Sequence, residues 1–212
     1  MTPENRVLLE SFLKQNSRAA DPGSSLDAFE RYMDELQRWN QYINLTAIED
    51  EPDIVIKHFI DSLIPLRFIG ERDFILDIGS GAGFPGLPIK IVLHSVKLVM
   101  LDARLKKINF INSVINILKL QGATALHQRA EAKDFQELMG KSFDVVISRA
   151  SFPLDRLAVL ALPYMRDNGK LIAMKSKKDD AVDNLPGLQQ CDEFVTNLPD
   201  GSFRKILVFG RA

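Results

Sequence analysis

The chain has 212 residues, 46% hydrophobic and 26% charged, a balance that belongs to folded globular proteins and excludes a disordered chain. Its one cysteine, Cys191, excludes an internal disulfide and a cysteine-rich zinc site and fits a reducing compartment. The net charge of −1 hides a split: residues 1–70 carry 7 Lys and Arg against 12 Asp and Glu, whereas residues 71–212 carry 20 against 16, so a local polyanion site is permitted on the second part.

In chain order, the first seventy residues read as helices. Thr2-Pro3 suits a helix cap followed by proline at the first helical position, and Leu8, Leu9, Phe12 and Leu13 recur at helical spacing. Asp21-Pro22-Gly23-Ser24-Ser25 reads as a break. Leu26, Phe29, Met33 and Leu36 then form the apolar stripe of a second helix. A third is expected from Glu51-Pro52-Asp53, carrying Ile56, Phe59, Ile60 and Leu63. From Arg72 the period changes. Strands are predicted at 73–78, 96–101, 123–127, 143–148, 169–174, 191–197 and 203–209, with helices near 86–93, 104–119, 131–139, 154–163 and 179–186. Strands that are nearly all apolar, alternating with helices, make a parallel sheet buried on both faces. The last two are joined only by Leu198-Pro199-Asp200-Gly201-Ser202 and must form a hairpin, so the end of the sheet is antiparallel. The expected organisation is a helical extension over 1–70 and an α/β core over 71–212. Apolar runs such as 74–76 and 96–101 are far too short to span a membrane, and the charged N-terminus lacks the apolar stretch of a signal peptide. A soluble cytoplasmic protein is the expectation.

The densest chemical signal is Asp77-Ile78-Gly79-Ser80-Gly81-Ala82-Gly83-Phe84-Pro85-Gly86, which follows a strand and opens a helix. Glycines there permit positive φ and let a ligand lie on bare backbone. The helix beyond is expected to offer unpaired N–H groups to anionic atoms. Two patterns are met together. Gly81-x-Gly83-x-x-Gly86 matches the dinucleotide fingerprint, and Gly79-x-Gly81-x-Gly83 after Asp77 matches the S-adenosylmethionine (SAM) loop of class I methyltransferases. Asp102, ending the next strand, would accept from ribose hydroxyls in either ligand. Pro85 and Pro88 each remove an N–H where a pyrophosphate would seek one, the terminal hairpin belongs to the methyltransferase sheet, and no proton-relay pattern suited to hydride transfer follows. These favour SAM. Ala130 and Glu131, after the third strand, are placed to meet adenine, although the spacing equally puts Glu131 in a helix's first turn. Arg149 ends the fourth strand at the switch point of the sheet, where a binding role competes with a structural ion pair.

These stretches, with Trp39-Asn40, Ile43-Asn44-Leu45-Thr46, His58-x-x-Asp61-Ser62 and Gly-Phe-Pro-Gly-Leu-Pro at 83–88, resemble the ribosomal RNA small-subunit methyltransferase G family from about residue 30 to about residue 175. The resemblance implies a class I SAM-dependent methyltransferase fold, Rossmann-like, with seven mostly parallel strands, a terminal antiparallel hairpin and an N-terminal helical extension. It also implies methylation of a guanine at N7 in 16S rRNA of the small ribosomal subunit. Carried over, its SAM contacts fall on Gly79, Phe84, Ala130, Glu131 and Arg149, to which Gly81 and Asp102 are added on physical grounds. No catalytic side chain and no metal are expected; His58, His94 and His127 are scattered and read as structural. RNA contacts are expected from Arg104 and Lys175, each in a basic cluster just past a strand end, while Lys106 and Lys107 read more simply as a solvated run. Trp39 and Phe84 are candidates to stack a base, against packing of the extension for Trp39 and a border of the SAM site for Phe84. The chain is expected to be monomeric. The rivals are a nicotinamide-dependent oxidoreductase and a non-catalytic SAM-binding factor in ribosome assembly.

Overall fold

The computed structural model describes residues 1–15, 22–149, 152–176 and 185–212. Helix α1 (Pro3–Gln15) opens as expected: the Thr2 hydroxyl accepts from the Asn5 N–H and the Thr2 carbonyl from Arg6. Helix α2 (Pro22–Asn40) takes in most of the stretch expected to break the helices. Proline and serines at a helix start cost little, because the first N–H groups have no intrahelical partner. The third helical region is one continuous run over 51–68 with changing pitch. It passes from α3 (Glu51–Asp53), capped by Asp50, through a π-helical stretch (Ile54–Ile60) and α4 (Asp61–Leu63) to a 3-10 stretch (Ile64–Phe68). The wider π turn buries Ile54, Val55, His58, Phe59 and Ile60 together, more than one face of an α-helix could.

Seven strands then alternate with helices: β1 (Phe74–Ile78), α5 (Gly86–Val92), β2 (Lys97–Asp102), α6 (Leu105–Leu118), β3 (Ala123–His127), α7 (Lys133–Met139), β4 (Phe143–Arg149), α8 (Leu154–Ala161), β5 (Met165–Lys175), β6 (Leu188–Asn197) and β7 (Phe203–Arg211). The helix expected near 179–186 lies mostly outside the described residues. The sheet order is β3-β2-β1-β4-β5-β7-β6, parallel except that β7 runs against both β5 and β6. β1 pairs with both β2 and β4, Asp77 lying level with Met100 and Ile147, so the direction of winding reverses between β1 and β4. Ligands bind at the carboxyl ends of strands at such a reversal.

Alternate strand residues feed two cores. Leu76, Leu101, Val146 and Leu171 pack against α7 and α8 on one face. Ile75, Met100, Ile147 and Val208 face the other, with α5 and α6 and with Leu9, Phe29, Tyr32 and Phe59 of the extension in the same continuous core. Among the described residues no helix is long and apolar enough to cross a membrane.

Candidate functional site

Between β1 and α5 the chain folds back through Gly79, Gly81 and Gly83, at φ of 74°, 61° and 91°. The glycines answer to different demands. A Cβ on Gly83 would lie 2.4 Å from Leu87 and 2.9 Å from the Tyr32 hydroxyl, and one on Gly86 would lie 2.8 Å from Asp77, so both are glycine for packing. At Gly81 the same position meets only the Lys107 ammonium, at 3.5 Å, the movable end of a side chain. Bare backbone is presented there.

Most of the turn's N–H donors, that of Ala82 apart, are spent internally. Gly79 and Ser80 donate to the Leu101 carbonyl, Gly83 and Phe84 to that of Ser80, and Gly81 to Asp102 Oδ2 at 3.0 Å. The head of α5 is no freer, which corrects the expectation of unpaired N–H groups. Asp77 Oδ2 reaches back from β1 to accept from Gly86 at 2.9 Å, Leu87 donates to Gly83, Ile89 to Pro85, and prolines 85 and 88 have no N–H. A diphosphate, which needs several donors, is badly served. The acceptors are what remain. Asp77 is fully buried, its Oδ1 has no partner, and lost hydration pushes its pKa up to about 7. The half-buried Asp102 is held by the N–H groups of Gly81 and Arg104 and keeps lone pairs for hydroxyl donors. A cradle open at one glycine, short of donors and edged by the Asp102 carboxylate, suits a cationic ligand carrying hydroxyl donors. SAM has that chemistry without a diphosphate; a dinucleotide shares the ribose hydroxyls but brings a diphosphate that this turn does not serve.

Other expected residues sit around this edge in different ways. The Ala130 carbonyl accepts from the Tyr164 hydroxyl at 2.7 Å and from Gln136. Glu131 lies in the turn before α7, so the alternative of a first-turn helix residue does not hold; it pairs at the surface with Arg156 at 2.9 Å, which holds its carboxyl below the usual range. Phe84 is buried, its ring sandwiched between His58 at 4.4 Å and Tyr32 at 5.4 Å, so its side chain faces the extension and only its backbone belongs to the turn. Arg104 precedes α6 with an exposed side chain, and Lys175 ends β5 with its ammonium donating to the Phe152 carbonyl at 3.4 Å. The Trp39 ring meets Phe110 of α6 edge-on at 5.8 Å, in keeping with packing of the extension.

Arg149 leaves the sheet to engage the extension. Its Nη1 donates to the Lys57 carbonyl at 2.9 Å and to Asp61 at 3.3 Å, its Nη2 faces His58 Nδ1 at 3.2 Å, and its guanidinium carbon lies 4.9 Å from the Phe84 ring centre. The structural ion pair is thus present. Since Nδ1 accepts from Arg149, His58 carries its proton on Nε2 and donates it to the Thr46 hydroxyl at 2.9 Å. Burial, and then the Arg149 charge, lower the His58 pKa to about 3. Asp61, itself buried, also accepts from Arg204 of β7 at 2.8 Å. Lys57, His58, Asp61, Arg149, Lys175 and Arg204 line a cleft of about 310 Å³ in which cations outnumber the single carboxylate. Arg204 carries no signal in the sequence, because its neighbours follow from the position of β7 beside β5. His58 and Asp61 do carry one: spacing of three puts two polar residues on a helix face otherwise apolar.

A family model described as rRNA small subunit methyltransferase G matches residues 25–199. A protein of that name from Geobacter sp. (strain M21) is 38% identical over 208 residues, covering 91% of this chain and 94% of its own length. One from Acetivibrio thermocellus is 40% identical over 160 residues, covering 75% of this chain and 66% of its own. In structure, the chain is similar to a SAM dependent methyltransferase from Aquifex aeolicus (TM-score 0.56, 17% identity, 76% of this chain and 93% of that one). It is also similar to the PH0226 protein from Pyrococcus horikoshii OT3 (TM-score 0.60, 14% identity, 82% and 99%). At such identities these two bear on the fold alone.

Proposed function

Because the chain belongs to the rRNA small subunit methyltransferase G family, we propose that it transfers a methyl group from SAM to N7 of a guanine in the 16S rRNA of the small ribosomal subunit. The reading includes action in the cytoplasm, as a monomer and without a metal ion. The observation that carries the cofactor is the donor-poor turn at the reversal of the sheet, with the Asp102 carboxylate at its edge. In this reading the backbone of Gly79, Gly81 and Phe84 lies against the bound SAM, Asp102 accepts from its ribose, Ala130 and Glu131 border the adenine, and Arg149 closes the side towards the extension.

When bound, SAM supplies an electrophilic methyl on a sulfonium. Guanine N7 offers an in-plane lone pair and no proton, so the transfer needs alignment and no general base. His58 agrees with this, since Nδ1 accepts from Arg149 and Nε2 donates to Thr46, leaving neither nitrogen for proton abstraction. The contribution of the chain is to hold two reactants in line, with Arg104 and Lys175 neutralising RNA phosphates beside the cleft.

The test is incubation of unmodified small subunits with protein and methyl-labelled SAM, followed by borohydride reduction and aniline cleavage. One strong cleavage at a labelled guanine supports the reading. Label on another atom, or SAM binding with no transfer, overturns it, the second outcome favouring a non-catalytic assembly factor.

A further inference from the structure

Tyr32 stands in the middle of α2, fully buried, and its hydroxyl donates to the carbonyl of Ala82 in the glycine turn. Its ring stacks on Phe84 at 5.4 Å and 22°, and touches Phe59 at 5.5 Å and Phe110 at 6.2 Å. Ala82 lies between Gly81 and Gly83, both at positive φ, where the backbone has the least intrinsic preference to hold it. The rest of the turn is fastened from other directions: Gly79 and Ser80 to Leu101, Gly81 to Asp102, Gly86 to Asp77. The 82–83 peptide is held at its N–H by the Ser80 carbonyl, and at its C=O by the extension, and the absence of a Cβ on Gly83 is what lets the hydroxyl approach, since that atom would lie 2.9 Å from it.

The geometry points to Tyr32 as a positioning residue for the methyl donor, so that the helical extension is a working part of the cofactor site. This rests on the reading of the turn as the seat of SAM. A hydroxyl that fixes one peptide plane fixes the backbone against which the ligand lies, and a loop already fixed loses less freedom on binding.

The test is Tyr32→Phe, which keeps the ring and removes the donor. Calorimetric affinity for SAM should fall about five- to tenfold, the worth of one buried hydrogen bond, and the KM for SAM should rise with it. The KM for rRNA should not move. Phe29→Leu is the control, because Phe29 packs on Phe59 at 4.8 Å in the same aromatic cluster and its side chain has no hydrogen bond to give the turn. Wild-type affinity in Tyr32→Phe, or an equal loss in Phe29→Leu, overturns the inference. Wild-type protein that fails to bind SAM overturns instead the underlying reading. Hydrogen exchange on the wild type gives a second measurement that needs no variant to fold. SAM should slow exchange at Gly83 and in the part of α2 around Tyr32 by about threefold or more and leave α1 unchanged; an unchanged α2 overturns the inference.

Discussion

Asp77 and His58 are buried ionisable groups whose shifts oppose one another, and their signs set the pH dependence of folding. Asp77 goes from 3.8 to about 7 on burial, so between those values the folded protein binds a proton that the unfolded chain has released. Its contribution therefore weakens as pH rises through that window and levels off above about 7. His58 goes from 6.5 to about 3, so between those values the unfolded chain binds the proton, and stability is lost as pH falls. Asp77→Asn keeps a carbonyl for the Gly86 N–H and removes the titration. Urea unfolding from pH 4 to 8 should show the variant gaining on the wild type up to about pH 7, by a few kcal/mol at most, on the order of 4. His58→Gln should flatten the fall below pH 6.5. Parallel curves for Asp77→Asn and wild type would mean that Asp77 is ionised throughout.

Where elements meet, Arg149 ties the end of β4 to the 51–68 run, and its removal strands several partners at once. Arg149→Ala takes away the partner of His58 Nδ1 and of one oxygen of Asp61, and a donor to the Lys57 carbonyl. The expected loss is about 3 kcal/mol of stability in urea, with at least a tenfold fall in SAM affinity or turnover. Arg149→Lys should restore neither, because the donors of one compact ammonium do not span acceptors that now sit on two separate guanidinium nitrogens; full rescue by lysine would reduce the role of Arg149 to its charge. Lys175→Ala should raise the KM for rRNA, lower the salt slope of RNA binding by about one and leave SAM affinity intact, whereas loss of both would make Lys175 a support of the fold. Much at this scale was legible beforehand. Short β-rich runs located every strand to within about four residues, and the short 198–202 link required the hairpin that sets β7 against β6. The glycine turn was legible as well, because positive φ leaves a local mark in sequence. What was hidden depends on pairs far apart in the chain: Arg204 on Asp61, Tyr32 on Ala82, and Asp77 capping a helix nine residues on, which removed the free N–H groups that helix geometry alone leads one to expect. Periodicity records which face is buried, not which polar atom waits on the other side.

Across the whole molecule the division at residue 70 marks a change of secondary structure without a break in the core. Leu9, Phe29, Tyr32 and Phe59 belong to the same cluster as Ile75, Met100, Ile147 and Val208. Residues sharing one core lose their contacts together, so unfolding is expected to be one cooperative step although the chain is larger than most two-state proteins. A natural reporter stands at the junction. Trp39, the one tryptophan, sits on α2 against Phe110 of α6, with its indole N–H on Glu35 at 2.7 Å. Its fluorescence reads the seam between extension and sheet, while far-ultraviolet circular dichroism reads every helix and strand. In urea the two should give midpoints that agree within about 0.2 M. A fluorescence midpoint well below the dichroism midpoint would show the extension leaving first and would make 1–70 and 71–212 separate folding units. Coincidence would mean that the helices before β1 are as much a part of the donor-binding fold as the strands, because Tyr32 and the aromatic cluster around it could not be released while the turn at 79–86 stayed in place.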